Sequence, residues 1–156
     1  TAKHGALMVK DFEAEERLRM RLALDLDPRV EELRRGSAGT GKAERDARIE
    51  KGISLAASLA AHYIETGMSV SFASHGIAMP FGGGSSHLFA ILGALAAMDP
   101  YGEARLAPVS AAPRTLAPAV PGILVRVKGG GRTRIRNDSL FTKVIHVEED
   151  RKRNGG

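Results

Sequence analysis

Leu18, Met20, Leu22, Leu24 and Leu26 stand two residues apart, with Arg19, Arg21 and Ala23 between them. A period of two puts the leucines on one face of a strand. The run from Leu22 to Leu26 reads as apolar on both faces, as a strand inside a helix-flanked sheet requires. Upstream, "ALMVKDF" predicts a second strand, joined through the acidic "EAEE" and therefore at the sheet edge. The period then changes. In "ARIEKGISLAASLAAHYIETG", Ile49, Ile53, Ala56, Ala57, Ala60 and Ile64 trace one face at helical spacing, with Leu55 and Leu59 on an adjoining stripe and Gly67 as the stop. So many alanines imply close packing on a flat surface, most simply a sheet.

"MSVSFASHGIAMPF" predicts a hairpin: Val70 and Phe72 alternate with serines, His75 and Gly76 turn the chain, and Ile77 to Phe81 return as an edge ended by Pro80. A glycine loop then leads into a second helix, with Ser85 or Ser86 as N-cap, Leu88, Ile91, Leu92 and Leu95 on one face, and Pro100 closing it. Pro108, Pro113, Pro118 and Pro121 speak against long helices before the next strand, "GILVRV" at 122–127. A further strand is expected over 140–149, after a basic loop "KGGGRTRIRND". These elements form a single domain over 1–149, followed by a disordered basic tail, 150–156.

Composition fits that picture. The 156 residues suffice for one ordinary domain, and 43% hydrophobic with 26% charged residues is the range of a folded globular chain. There is no cysteine, so disulfides and thiolate metal sites are excluded, and the five histidines show no ligand spacing. No apolar run approaches the roughly twenty residues needed to cross a bilayer, and a cytoplasmic setting is expected. The chain begins at Thr1, which suggests a fragment whose upstream part is missing and whose parent could be membrane-anchored.

The net charge of +5 invites a nucleic-acid reading until it is located. Through Gly122 there are fourteen basic and fourteen acidic residues, and from Ile123 onward nine basic and four acidic. The excess therefore belongs to the C-terminal segment, where a solvated tail is the simpler account. Weak nucleic-acid binding through that segment is a competing one.

"GSAGTGKA", residues 36–43, approximates a Walker A loop, with Gly36, Gly41 and Lys42 on its fixed positions. Ala43 stands where the magnesium-coordinating hydroxyl belongs. The preceding "VEELRRG" is charged and does not read as a buried strand, so a solvated linker is the simpler reading and nucleotide binding the alternative.

Three segments carry a resemblance to a known family. "TAKHGALMVKDFEAEERLRMRLALDLDP", "ISLAASLAAHYIETGMSVSF" and "PFGGGSSHLFAILGALAAMDP" look like the bacterial domain of unknown function 58 family, over roughly residues 1–100. The resemblance implies a three-layer von Willebrand factor A-like (Rossmann-type) α/β sandwich, with a mostly parallel sheet and an antiparallel edge hairpin. It also implies a protein-interaction role beside MoxR-type AAA+ ATPases. In such domains the first strand ends in D-x-S-x-S, which holds Mg²⁺ with oxygens from other loops. Mapped here, Asp25 is the first acid, Asp27 replaces the first serine and Arg29 the second, and Arg cannot give an oxygen to a cation. Ser85 and Ser86 are candidates for the missing threonine, while "GILVRVKGGG" offers no aspartate at the end of the later strand. The site is therefore expected to be degenerate, with Asp25 and Asp27 capping the next helix or pairing with Arg29.

Single residues add little chemistry. His62 is expected to be a partly buried, hydrogen-bonded histidine on an apolar helix. His87 beside Ser85 and Ser86 lacks the strand-elbow-helix context of a nucleophile, and Glu13, Glu15 and Glu16 have nothing apolar around them to tune a general acid. The expectation is a non-enzymatic interaction domain with no cofactor, Mg²⁺ being the one candidate. Its partner surface is a rim over Asp25–Lys42 and Gly82–His87, with Asp25, Asp27, Arg29, Lys42 and His87 as the contact residues.

Overall fold

Strand β1 runs Arg19–Leu26, and from Leu22 onward every residue is buried. In the computed structural model, which describes residues 19–26, 40–74, 76–100, 120–127 and 141–147, it lies at the centre of a five-stranded sheet. Helix α1, Thr40–Glu65, follows it. Strands β2, Ser69–Ser74, and β3, Ile77–Gly82, come next, then helix α2, Gly84–Ala96. Strands β4, Gly122–Val127, and β5, Lys143–Val147, complete the order.

The sheet order is β3-β2-β1-β4-β5; β1 is parallel to β2 and β4, β4 is parallel to β5, and β3 is antiparallel to β2. This is a mostly parallel α/β sheet with an antiparallel edge hairpin, compatible with a Rossmann-like fold. The chain moves outward from β1 through β2 to β3 and then resumes on the other side of β1. The switch point of the topology is thus the boundary between β1 and β4, the place where open sheets of this kind bind ligands at the carboxyl ends of their strands.

Paired residues on adjacent strands share a face, so register divides the sheet in two. Leu22, Leu24, Leu26, Val70, Phe72, Ile123, Val125 and Val127 form one face, and their core also includes Ile49, Ala56, Ala60 and Ile64 of α1 with Ile91 and Leu95 of α2. Complete burial of a Leu or Phe side chain is worth about 1.5–3 kcal/mol, so among the described residues this face supplies the larger share of apolar burial. Among the described residues both helices pack there. The opposite face carries Arg19, Arg21, Ala23 and Asp25 of β1, with Ala23 packed against Leu124 and Phe141. The second helical layer expected of a three-layer sandwich falls outside the described residues, as do the "ALMVKDF" strand and the tail.

Three boundaries differ from expectation. Helix α1 begins at Thr40 and takes in "TGKAERD", and its buried stripe runs Ile49, Gly52, Ala56, Ala60, Ile64. A Cβ on Gly52 would collide with Cγ2 of Val127, so the helix approaches the sheet through a glycine. Pro80 lies inside β3 rather than ending it: Phe72 pairs with Met79 but Val70 with Gly82, so an extra residue bulges out around Pro80. The N-cap of α2 is Gly83, with no side-chain cap bond, and Gly84 follows at φ 76. Glycine backbone makes the turn, and Ser85 and Ser86 fall within the first helical turn.

Candidate functional site

At the carboxyl end of the switch point Asp25 of β1 pairs in register with Arg126 of β4. The Arg126 Nε donates to the Asp25 Oδ2 at 3.3 Å, and the two residues are only 6% and 1% exposed. Asp25 was expected to cap a helix or pair with Arg29; its partner is instead a strand residue distant in sequence. The signal was an arginine inside the otherwise apolar "ILVRV", since a buried guanidinium requires an acid beside it. The second carboxylate oxygen, Oδ1, is buried without a hydrogen-bond partner among the described residues. At this degree of burial Asp25 is not a surface contact, contrary to its place in the expected partner rim.

The second half of that rim lies elsewhere. Strand β2 runs parallel to β1 and β3 returns, so α2 starts at the amino end of the sheet. His87 marks the position: its Nε2 donates to the Val70 carbonyl at 2.8 Å, and Val70 pairs with Met20. From Met20 to Asp25 is five residues of strand, about 16 Å. Ser85, Ser86 and His87 are therefore at the opposite end of the sheet from Asp25, and the two serines cannot join it around one ion. His87 packs over Gly82, where an added Cβ would stand 2.8 Å from the imidazole Cγ. The chain leaves α2 at the carboxyl end, where the Ser74 hydroxyl donates to the Leu24 carbonyl at 3.0 Å and lies 3.4 Å from the Met98 sulfur.

Lys42 does stand on the carboxyl side. Helix α1 is antiparallel to β1, with Gly52 against Leu24 and Val127. Its 26 residues span about 39 Å, against about 26 Å for the eight of β1. None of residues 42–48 is buried, so these first turns overhang the sheet. Lys42, Ala43 and Glu44 are exposed there. Gly36, Asp27 and Arg29 lie outside the described residues, as does most of the basic segment proposed for nucleic acid, residues 128–140 and 148–156. His62 is exposed, its ring 5.2 Å from that of Tyr63, rather than partly buried in a hydrogen-bonded site.

The described residues around Asp25 do not by themselves fit a resident Mg²⁺. That ion needs near-octahedral oxygen coordination, and Asp25 offers one unengaged oxygen with a guanidinium already on the other. Among the described residues no three His, Cys, Asp or Glu converge on a common point, and no helix is long and apolar enough to cross a membrane. Compared with protein-family models, with curated proteins and with solved structures, the chain matches nothing.

Proposed function

We propose that this chain is a non-enzymatic protein-interaction domain of the von Willebrand factor A-like type, similar to the domain of unknown function 58 family, and that it serves as an adaptor for a MoxR-type AAA+ ATPase without a bound cation. The observation that carries the reading is the Asp25–Arg126 pair across the switch point. In an open α/β sheet this crevice takes a small ligand or ion. Here an internal guanidinium neutralises its acid, which favours recognition by the surrounding rim over chemistry in the crevice. The overhanging start of α1, with Lys42, Glu44 and Ala47 exposed, supplies the surface. The sheet order, with its antiparallel outer strand, agrees with such a domain.

The competing reading is nucleotide binding through Lys42. Its support is that Lys42 occupies the first turn of a helix at the carboxyl side of the sheet. One pair of titrations separates the two. Association with a purified MoxR-type ATPase, saturable and weakened by Lys42→Glu, is the expected result. Saturable micromolar binding of a fluorescent ATP analogue, lost on Lys42→Ala, would replace the adaptor reading with the nucleotide one.

A further inference from the structure

Among the described residues, the amino half of the sheet face opposite the helices carries positive charge with no carboxylate paired to it. Arg19 and Arg21 occupy alternate positions of β1 there, and β2 sets Ser69 in register with Arg19 and Ser71 in register with Arg21. The four positions form a patch about 6.6 Å along the strand and about 4.8 Å across it. All four residues are half-buried. Among the described residues no carboxylate pairs with either guanidinium, and neither serine hydroxyl has a hydrogen bond. Arg126, on the same face toward the carboxyl end, has its acid in Asp25. Among the described residues the face therefore divides into a carboxyl half where Arg126 meets Asp25 and an amino half that holds two cations without a carboxylate partner.

The local backbone prepares this patch. Without the bulge at Pro80, Phe81 would face the helices; with it, Phe81 falls opposite Ser71 and on the side of the arginines. The Arg19 guanidinium lies 5.3 Å from the Phe81 ring centroid. Such stacking orients the planar cation and leaves its edge N–H groups available. Beside Arg21 on β4 the paired residue is Gly122, which brings no side chain onto the patch.

We infer that Arg19, Arg21, Ser69 and Ser71 form a binding site for a phosphoryl dianion. Two guanidinium groups supply N–H donors and no acceptors, and two hydroxyls add donors that adjust to a tetrahedral oxyanion. The two positive charges match a dianion, whereas one carboxylate would leave a half-buried cation unneutralised. The site lies at the other end of the sheet from the rim proposed for the ATPase, so each stands or falls alone.

Equilibrium dialysis of the full chain against inorganic phosphate, phosphoserine and adenosine monophosphate, with ionic strength held by chloride, tests it. Saturable uptake of at least one phosphate is expected, weakened about tenfold or more by Arg21→Gln. The arm with the tightest uptake identifies the carrier as free phosphate, protein or nucleotide. Phenylglyoxal labelling of the unmutated chain, read by peptide mass, guards against a variant that fails to fold: phosphate should protect Arg19 and Arg21 where chloride does not. No uptake beyond chloride, uptake unchanged in Arg19→Gln/Arg21→Gln, or unprotected arginines would each overturn the site.

Discussion

The Nε of Arg126 stands 3.3 Å from the Oδ2 of Asp25, across the boundary between β1 and β4, with both side chains buried. Breaking a buried pair of this kind typically costs about 3–5 kcal/mol, whereas replacing both members by apolar groups is often neutral. Arg126→Met and Asp25→Leu should each lower the urea midpoint strongly, and the double variant should be more stable than either single. Additive losses in the double variant would show that the pair is not coupled.

Gly52 tests how closely α1 approaches the sheet. Alanine is the better helix former by about 1 kcal/mol, but its methyl would overlap Val127. Overpacking of that kind costs about 1–3 kcal/mol. Gly52→Ala should therefore lower the unfolding midpoint. A rise would mean that α1 and β4 are further apart than described.

His87 serves the fold, on this account, and not recognition at the rim. Its bond to the Val70 carbonyl is a single hydrogen bond, worth about 1 kcal/mol. His87→Ala should lose stability of that order and leave the proposed ATPase association unchanged, since the residue sits at the amino end of the sheet. A weakened association in a folded His87→Ala chain would move the partner surface to that end.

Much of the core was legible because burial imprints a period. Leu22 to Leu26 and "GILVRV" announce buried strands through unbroken apolar character, and β4 begins and ends where the sequence suggests. The start of α1 was not legible. None of residues 42–48 is buried, so no periodicity marks them, and the glycines of "GSAGTGKA" suggest a loop, although Lys, Ala, Glu and Arg favour helix. The Asp25–Arg126 pair joins strands remote in sequence, and only the isolated arginine in an apolar strand hinted at it. The misplaced rim has a simpler cause: a hairpin after a parallel strand returns the chain to the amino end, which separates Ser85 and Ser86 from Asp25 however close their loops lie in the expected order of elements.

The central claim is that Arg126, an internal guanidinium, fills the role at Asp25 that a bound cation would otherwise take. Thermal unfolding of the full chain with and without Mg²⁺ or Mn²⁺ tests it most directly, because a ligand of the native state must raise its stability in proportion to how far its concentration exceeds its dissociation constant. Coincident melting curves are predicted. A midpoint that climbs with either cation's concentration, beyond what an equal ionic strength of sodium chloride produces, would contradict the claim.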